Sequence, residues 1–189
     1  MTSEVIRDRA DVLVDLLCEE APGIDVATKK LGIRLRRLAN HLERELRREL
    51  AAAGAEVWEY EVLSTLRRAP GQRLSAGALL RASQVTAGAI TNRVARLESQ
   101  GWVRRDVDPR DRRQVLVSLT EAGQRRADEV RDITTMTEQR LLGQADAAAV
   151  RRMSEDIRNL LLAIEGPAVD EHPFEPCLAA DADTVHADR

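Results

Sequence analysis

Aromatic side chains are almost missing from this chain: two Trp, one Tyr and one Phe in 189 residues. A core without them must be built from Leu, Val and Ala, which favours packed helices. Cysteine is scarce as well. Cys18 and Cys177 lie far apart and make neither a disulfide framework nor a metal pattern. His41, His172 and His186 are isolated, with no zinc-ligand spacing. No apolar run approaches a membrane span. The first twenty residues, MTSEVIRDRADVLVDLLCEE, are charged and amphipathic, unlike a secretory leader. The expected location is therefore the cytoplasm, with no membrane partner. Nucleophile elbow, phosphate loop and recognisable carboxylate pair are all lacking, so no enzyme, catalytic residue, metal or cofactor is expected.

What the chain has is charge, unevenly placed. The net charge is −3. Residues 57–126 carry 13 Arg against 7 acids, whereas the remainder carries 16 basic residues against 25 acids. A basic middle in an acidic protein is the asymmetry of a nucleic-acid reader. Nearly all the cations are arginine, whose planar fork suits phosphate and guanine.

In chain order, the spacing predicts a helix from Ser3, its N-cap, to Glu20, with Val5, Val12, Leu13, Leu16 and Leu17 on its apolar side. Ala21-Pro22-Gly23 breaks it. Asp25 caps a long second helix to about Ala53, whose ladder is Leu31, Leu35, Leu38, Leu42, Leu46 and Leu50. Val57–Arg68 is a third helix, and Pro70-Gly71 a turn. Arg73-Leu74 can form a one-rung strand. Ser75 caps a short helix, Ala76–Arg81, and Ala82-Ser83-Gln84 is a turn. Thr86 caps the helix Ala87–Gln100, with Gly101 at its C′ position. Trp102–Val107 and Gln114–Leu119 alternate as strands around a charged tip. Thr120 caps a helix to about Leu142. Asp146 caps a last one to Glu165, and residues 166–189 read as a disordered acidic tail.

The helix after Thr86 carries the functional signal. Ile90, Val94 and Leu97 face inward. The other face shows Gly88, Thr91, Asn92 and Ala95, flanked by Arg93 and Arg96. Small residues let a backbone approach a groove, and Asn, Arg and Thr suit base edges. A helix followed by a basic hairpin is the reading part of a winged helix-turn-helix. The expected fold class is mainly α with a small β-wing, a winged helix-turn-helix plus a helical dimerisation arm. The expected divisions are an N-terminal helical arm (1–54), a winged domain (55–123), C-terminal dimerisation helices (124–165) and the tail (166–189).

The residues LESQGWVRRDVDPRDRRQVLVSLTEAG resemble the MarR family of bacterial regulators. The pattern is Leu97-Glu98, Gly101, Asp108 with Asp111-Arg112-Arg113, and Leu119-Thr120 with Gly123. The resemblance covers about Trp58 to Gly123. It implies a homodimer that binds a pseudo-palindrome in double-stranded DNA, acting most often as a repressor. Carried over by position, Thr86, Gly88, Thr91, Asn92, Arg93 and Arg96 belong to the recognition helix. Arg110, Arg112 and Arg113 belong to the wing, with Asp111 holding one arginine. The N-terminal extension resembles the PecS- and urate-responsive branch. That likeness implies a small anionic or aromatic effector held between arm and winged domain. The candidate contacts are Leu17, Trp58, Tyr60 and Glu61, with Arg34, Arg37 and His41 able to complete an anion site. Leu17-Cys18 stands where that branch has a tryptophan, and Glu61 where it has an aspartate. Two other readings remain open from the residues: a redox regulator using Cys18, and a winged-helix interaction module that does not bind DNA.

Overall fold

The computed structural model describes residues 6–21, 23–83, 85–109, 112 and 114–167. The predicted tail therefore lies outside the described residues, apart from Gly166 and Pro167. Two compact units emerge, Met1–Glu45 and Leu46–Arg189. The boundary falls inside the second helix. Residues 46–54, expected with the arm, stay with the second unit because Leu50 and Ala55 are buried with Val130.

In the first unit, α1 spans Arg9–Glu20 and α2 begins at Val26. The helix starts later than the predicted Ser3, which lies outside the described residues. Asp8 is the N-cap: its carboxylate accepts from the Asp11 amide at 3.0 Å, and Asp11 returns the bond to the Asp8 amide at 3.1 Å. This reciprocal arrangement satisfies two orphan amides at once. The buried face of α1 is also not the predicted one. Ala10 and Val14 are buried, whereas Val12, Leu13 and Leu16 are exposed. The i, i+4 pair of small residues faces inward, and the larger leucines lie on the other side of the turn. Arg34 and Lys30 of α2 tie down the start of α1. The Arg34 Nε lies 2.7 Å from Asp8, and the Lys30 Nζ lies 2.8 Å from Asp11. Both acids are held below the usual carboxylate range, Asp8 first by its Arg34 bond and Asp11 first by Lys30.

α2 ends at Ala52 in the second unit. There follow α3 (Val57–Arg68), a 3-10 turn (Pro70–Gln72), β1 (Arg73–Ser75), α4 (Ala76–Ala82), α5 (Ala87–Ser99), β2 (Val103–Val107), β3 (Val115–Leu119), α6 (Glu121–Leu142) and α7 (Ala147–Glu165). The architecture is mainly helical with a small antiparallel sheet in the order β1-β3-β2. β1 is longer than the single rung expected and pairs three residues with β3, Leu74 opposite Val117. In the hairpin, Val103 faces Leu119 and Val107 faces Val115. Alternation puts Val103, Val117 and Leu119 into the core and leaves Val107 exposed past its edge. That core also holds Val62, Leu63, Leu66, Leu79, Ile90, Val94 and Leu97, all aliphatic.

Caps place the reading elements. Ser75, Thr86, Thr120 and Asp146 each accept a backbone amide with the side chain, as expected. α5 ends in a Schellman arrangement: the Trp102 amide bonds the Leu97 carbonyl at 3.0 Å, and the Gly101 amide bonds Glu98 at 2.9 Å. Gly101 has φ +73°, a conformation that needs glycine. The chain then enters β2 directly. At the other end of the hairpin, the Thr120 amide and hydroxyl donate to the Trp102 and Gly101 carbonyls at 3.0 and 2.7 Å. The same hydroxyl oxygen accepts from the Gly123 amide at 3.0 Å. A Cβ on Gly123 would lie 1.8 Å from the Trp102 carbonyl oxygen. Thr120 and Gly123 thus clamp the wing's two ends to the start of α6.

Candidate nucleic-acid interface

α5 presents the predicted two faces. Ile90, Val94 and Leu97 are buried, and Gly88, Thr91, Asn92, Ala95 and Arg96 are exposed. Gly88 has open space where a Cβ would stand, so nothing within the domain requires a glycine there. Thr86 spends its oxygen on the Ala89 amide at 3.3 Å. The Thr91 hydroxyl donates back to the Ala87 carbonyl at 2.9 Å, which leaves it acceptor capacity only. Asn92, beside it, is exposed.

The two arginines of α5 are engaged within the domain. The Arg93 Nη1 lies 3.3 Å from the Glu61 carboxylate, and the Arg96 Nη2 lies 2.5 Å from Glu56. Both guanidinium groups lie over the Trp58 ring, Arg96 at 4.7 Å and Arg93 at 5.9 Å from its centroid. Trp58 is half-buried, its ring a platform for the cations. Glu56 is held below the ordinary range, first by its bond to Arg96 and next by the Trp58 indole. Glu56 was not among the predicted site residues. Acid and arginine are 40 residues apart, and only the packing of α3 on α5 joins them.

The wing is braced to α5. The Arg105 Nε of β2 lies 2.8 Å from Glu98 near the end of α5, and its Nη2 bonds the same oxygen. Glu98 is held low by that arginine. This pair links helix to hairpin, and spacing alone did not single it out. At the tip, Arg112 is exposed. Arg110, Asp111 and Arg113 lie outside the described residues, as does any ion pair between Asp111 and an arginine.

The predicted ligand residues divide between the two units. Leu17 is half-buried and Arg37 exposed in the first unit. Arg34 is occupied by Asp8 and Asp11, and His41 meets Arg44 at 2.9 Å. Trp58, Tyr60 and Glu61 belong to α3 in the second unit. Tyr60 and Glu61 line a cavity of about 520 Å³ with Ser64, Thr65, Arg68, Ala82, Ser83, Val85 and Arg93. The Ser64 hydroxyl is buried with no protein partner. Ser64 and Arg68 continue the i, i+3, i+7 line from Glu61 and could have been read from that spacing.

Residues 58–115 match the MarR family. The likeness to that family lies in this segment. It contains the platform tryptophan, α5 and both sides of the wing tip. The regulator PecS of Dickeya dadantii is 32% identical over 106 residues, which cover 55% of this chain and 63% of PecS. The chain thus spans less than two thirds of that relative. Among solved structures, Sco3205 from Streptomyces coelicolor, a MarR family transcriptional regulator in complex with DNA, is 26% identical with TM-score 0.63, over 82% of this chain and 98% of that one. An E. coli MarR variant complexed with operator DNA is 26% identical with TM-score 0.60, over 78% and 99%. The fold expected from the sequence, a winged helix in a mainly helical chain, is the observed one.

Proposed function

We propose that this chain is a DNA-binding transcriptional regulator that acts as a homodimer on a pseudo-palindromic operator, represses, and is released by a small anionic or aromatic effector. The observation that carries the reading is the exposed face of α5, with Thr91 and Asn92 flanked by Arg96 and Arg93 and the wing braced beside it. Such a face can read base edges in a major groove, and an arginine tip can follow the negative potential of a narrow minor groove. The similarity to Sco3205 and to a MarR variant, both bound to DNA, supports it.

The dimer reading draws on α7. No residue of this helix is buried, and Ile157, Leu160, Leu161 and Ile164 form an exposed apolar stripe. A stripe of this length needs a cover. A second copy provides it and spaces two recognition helices by about one DNA turn. The effector reading draws on the cavity lined by α3, the turn between α4 and α5, and Arg93. An anion held by Arg68 and Arg93 would compete with Glu61 for Arg93. It would shift DNA affinity to the extent that it binds the released state better. The division into arm, winged domain and C-terminal helices is part of this reading. So are the cytoplasmic location and the absence of catalysis.

A mobility-shift titration against DNA upstream of the chain's own gene tests the proposal. Sequence-specific retardation at modest salt is expected. No retardation of either this duplex or a scrambled one would favour the interaction-module reading instead.

A further inference from the structure

Arg96 has two partners in its own domain, and they do different things. The Trp58 ring lies under the guanidinium, its centroid 4.7 Å from Cζ. The Glu56 carboxylate, 2.5 Å from Nη2, takes up its hydrogen-bonding edge. A DNA phosphate would need that same edge, because it too is an anion recognised through N–H donors of the guanidinium. Neither side chain of the ion pair is packed into place: Arg96 is 56% exposed and Glu56 53%.

We propose that Glu56 is an affinity-determining residue, an internal stand-in for phosphate that occupies Arg96 in the free protein and competes with DNA for it. This rests on the DNA-binding reading above. Binding at this point of the interface exchanges one anion for another, so the contact adds less than a free arginine would. Neutralising Glu56 while keeping its shape releases the Arg96 edge, and the Trp58 ring still lies under the guanidinium. Arg93 is not the partner at issue. Its acid is Glu61, and its Cζ is the more distant from the ring, at 5.9 Å.

The test is a double-mutant cycle of Glu56→Gln and Arg96→Ala, with affinity for the upstream duplex followed across a salt series. Glu56→Gln is expected to tighten binding about fivefold, the upper scale of an exposed ion pair. It is also expected to steepen the salt dependence by up to about 0.9 in slope, one further phosphate neutralised. Both gains should vanish in the Arg96→Ala background. Glu56→Ser, which keeps an N-cap oxygen for α3, should show the same gain. Unchanged or weaker binding by both folded Glu56 variants, when the wild type binds, overturns the proposal alone. An equal gain without Arg96 also overturns it, because Glu56 would then act only through net charge. If the wild type shows no sequence-specific binding, the DNA reading falls and the proposal falls with it.

Discussion

The Glu61 carboxylate lies 3.3 Å from the Arg93 guanidinium, across 32 residues of chain and at the edge of the α3 cavity. A contact of the recognition helix is thereby tied to a pocket that holds a buried, partnerless Ser64 hydroxyl. A ligand that takes Arg93 from Glu61 alters the reading face directly.

Phenolic and purine acids, urate and salicylate among them, are therefore expected to include a binder. In a thermal-shift screen a ligand at 100 times its Kd adds about 2.7 kcal/mol of native-state stability. Arg68→Ala should remove that gain without lowering the unliganded midpoint. A gain that survives Arg68→Ala would move the effector site elsewhere.

Asn92→Ala should relax sequence preference more than it weakens binding. Loss of one groove contact costs about 1–3 kcal/mol of discrimination. Competition between the operator and single-base variants measures this. A uniform loss on all duplexes would assign Asn92 to the backbone instead.

Gly123→Ala should destabilise the domain by about 1–3 kcal/mol, the cost of overpacking. The added methyl meets the Trp102 carbonyl, which is backbone and held by Thr120. Urea denaturation checks it, and a midpoint equal to wild type would refute the clamp.

Acid should loosen α1. Asp8 and Asp11 have folded pKa values below their unfolded ones, through Arg34 and Lys30. Their contribution is full above about pH 4, the unfolded value, and fades as pH falls through the folded values. Amide exchange in α1 is expected to quicken as pH falls below about 4, after correction for intrinsic rates. Asp8→Asn should quicken it already at neutral pH and flatten the pH dependence.

Much of this was legible in the sequence because it is local. Thr86, Thr120, Ser75 and Asp146 announce helix starts through side chains that bond within three residues, and Gly101 announces a positive φ. The buried and exposed faces of α5 followed from period alone. Contacts between distant elements were not legible. Spacing puts Arg93 and Arg96 on an exposed flank but cannot say that Glu61, Glu56 and Trp58 arrive there from α3. The face of α1 was misread because Val12, Leu13 and Leu16 outweigh Ala10 and Val14 in hydrophobicity, whereas the buried pair is Ala10 and Val14.

The most direct test of the central claim is the stoichiometry and salt dependence of binding to the upstream duplex, followed by fluorescence anisotropy. Two protomers per site are predicted, with affinity falling steeply as salt rises and a scrambled duplex bound far more weakly. One protomer per site, or equal affinity for both duplexes, would contradict a dimer that reads sequence through α5 and its wing.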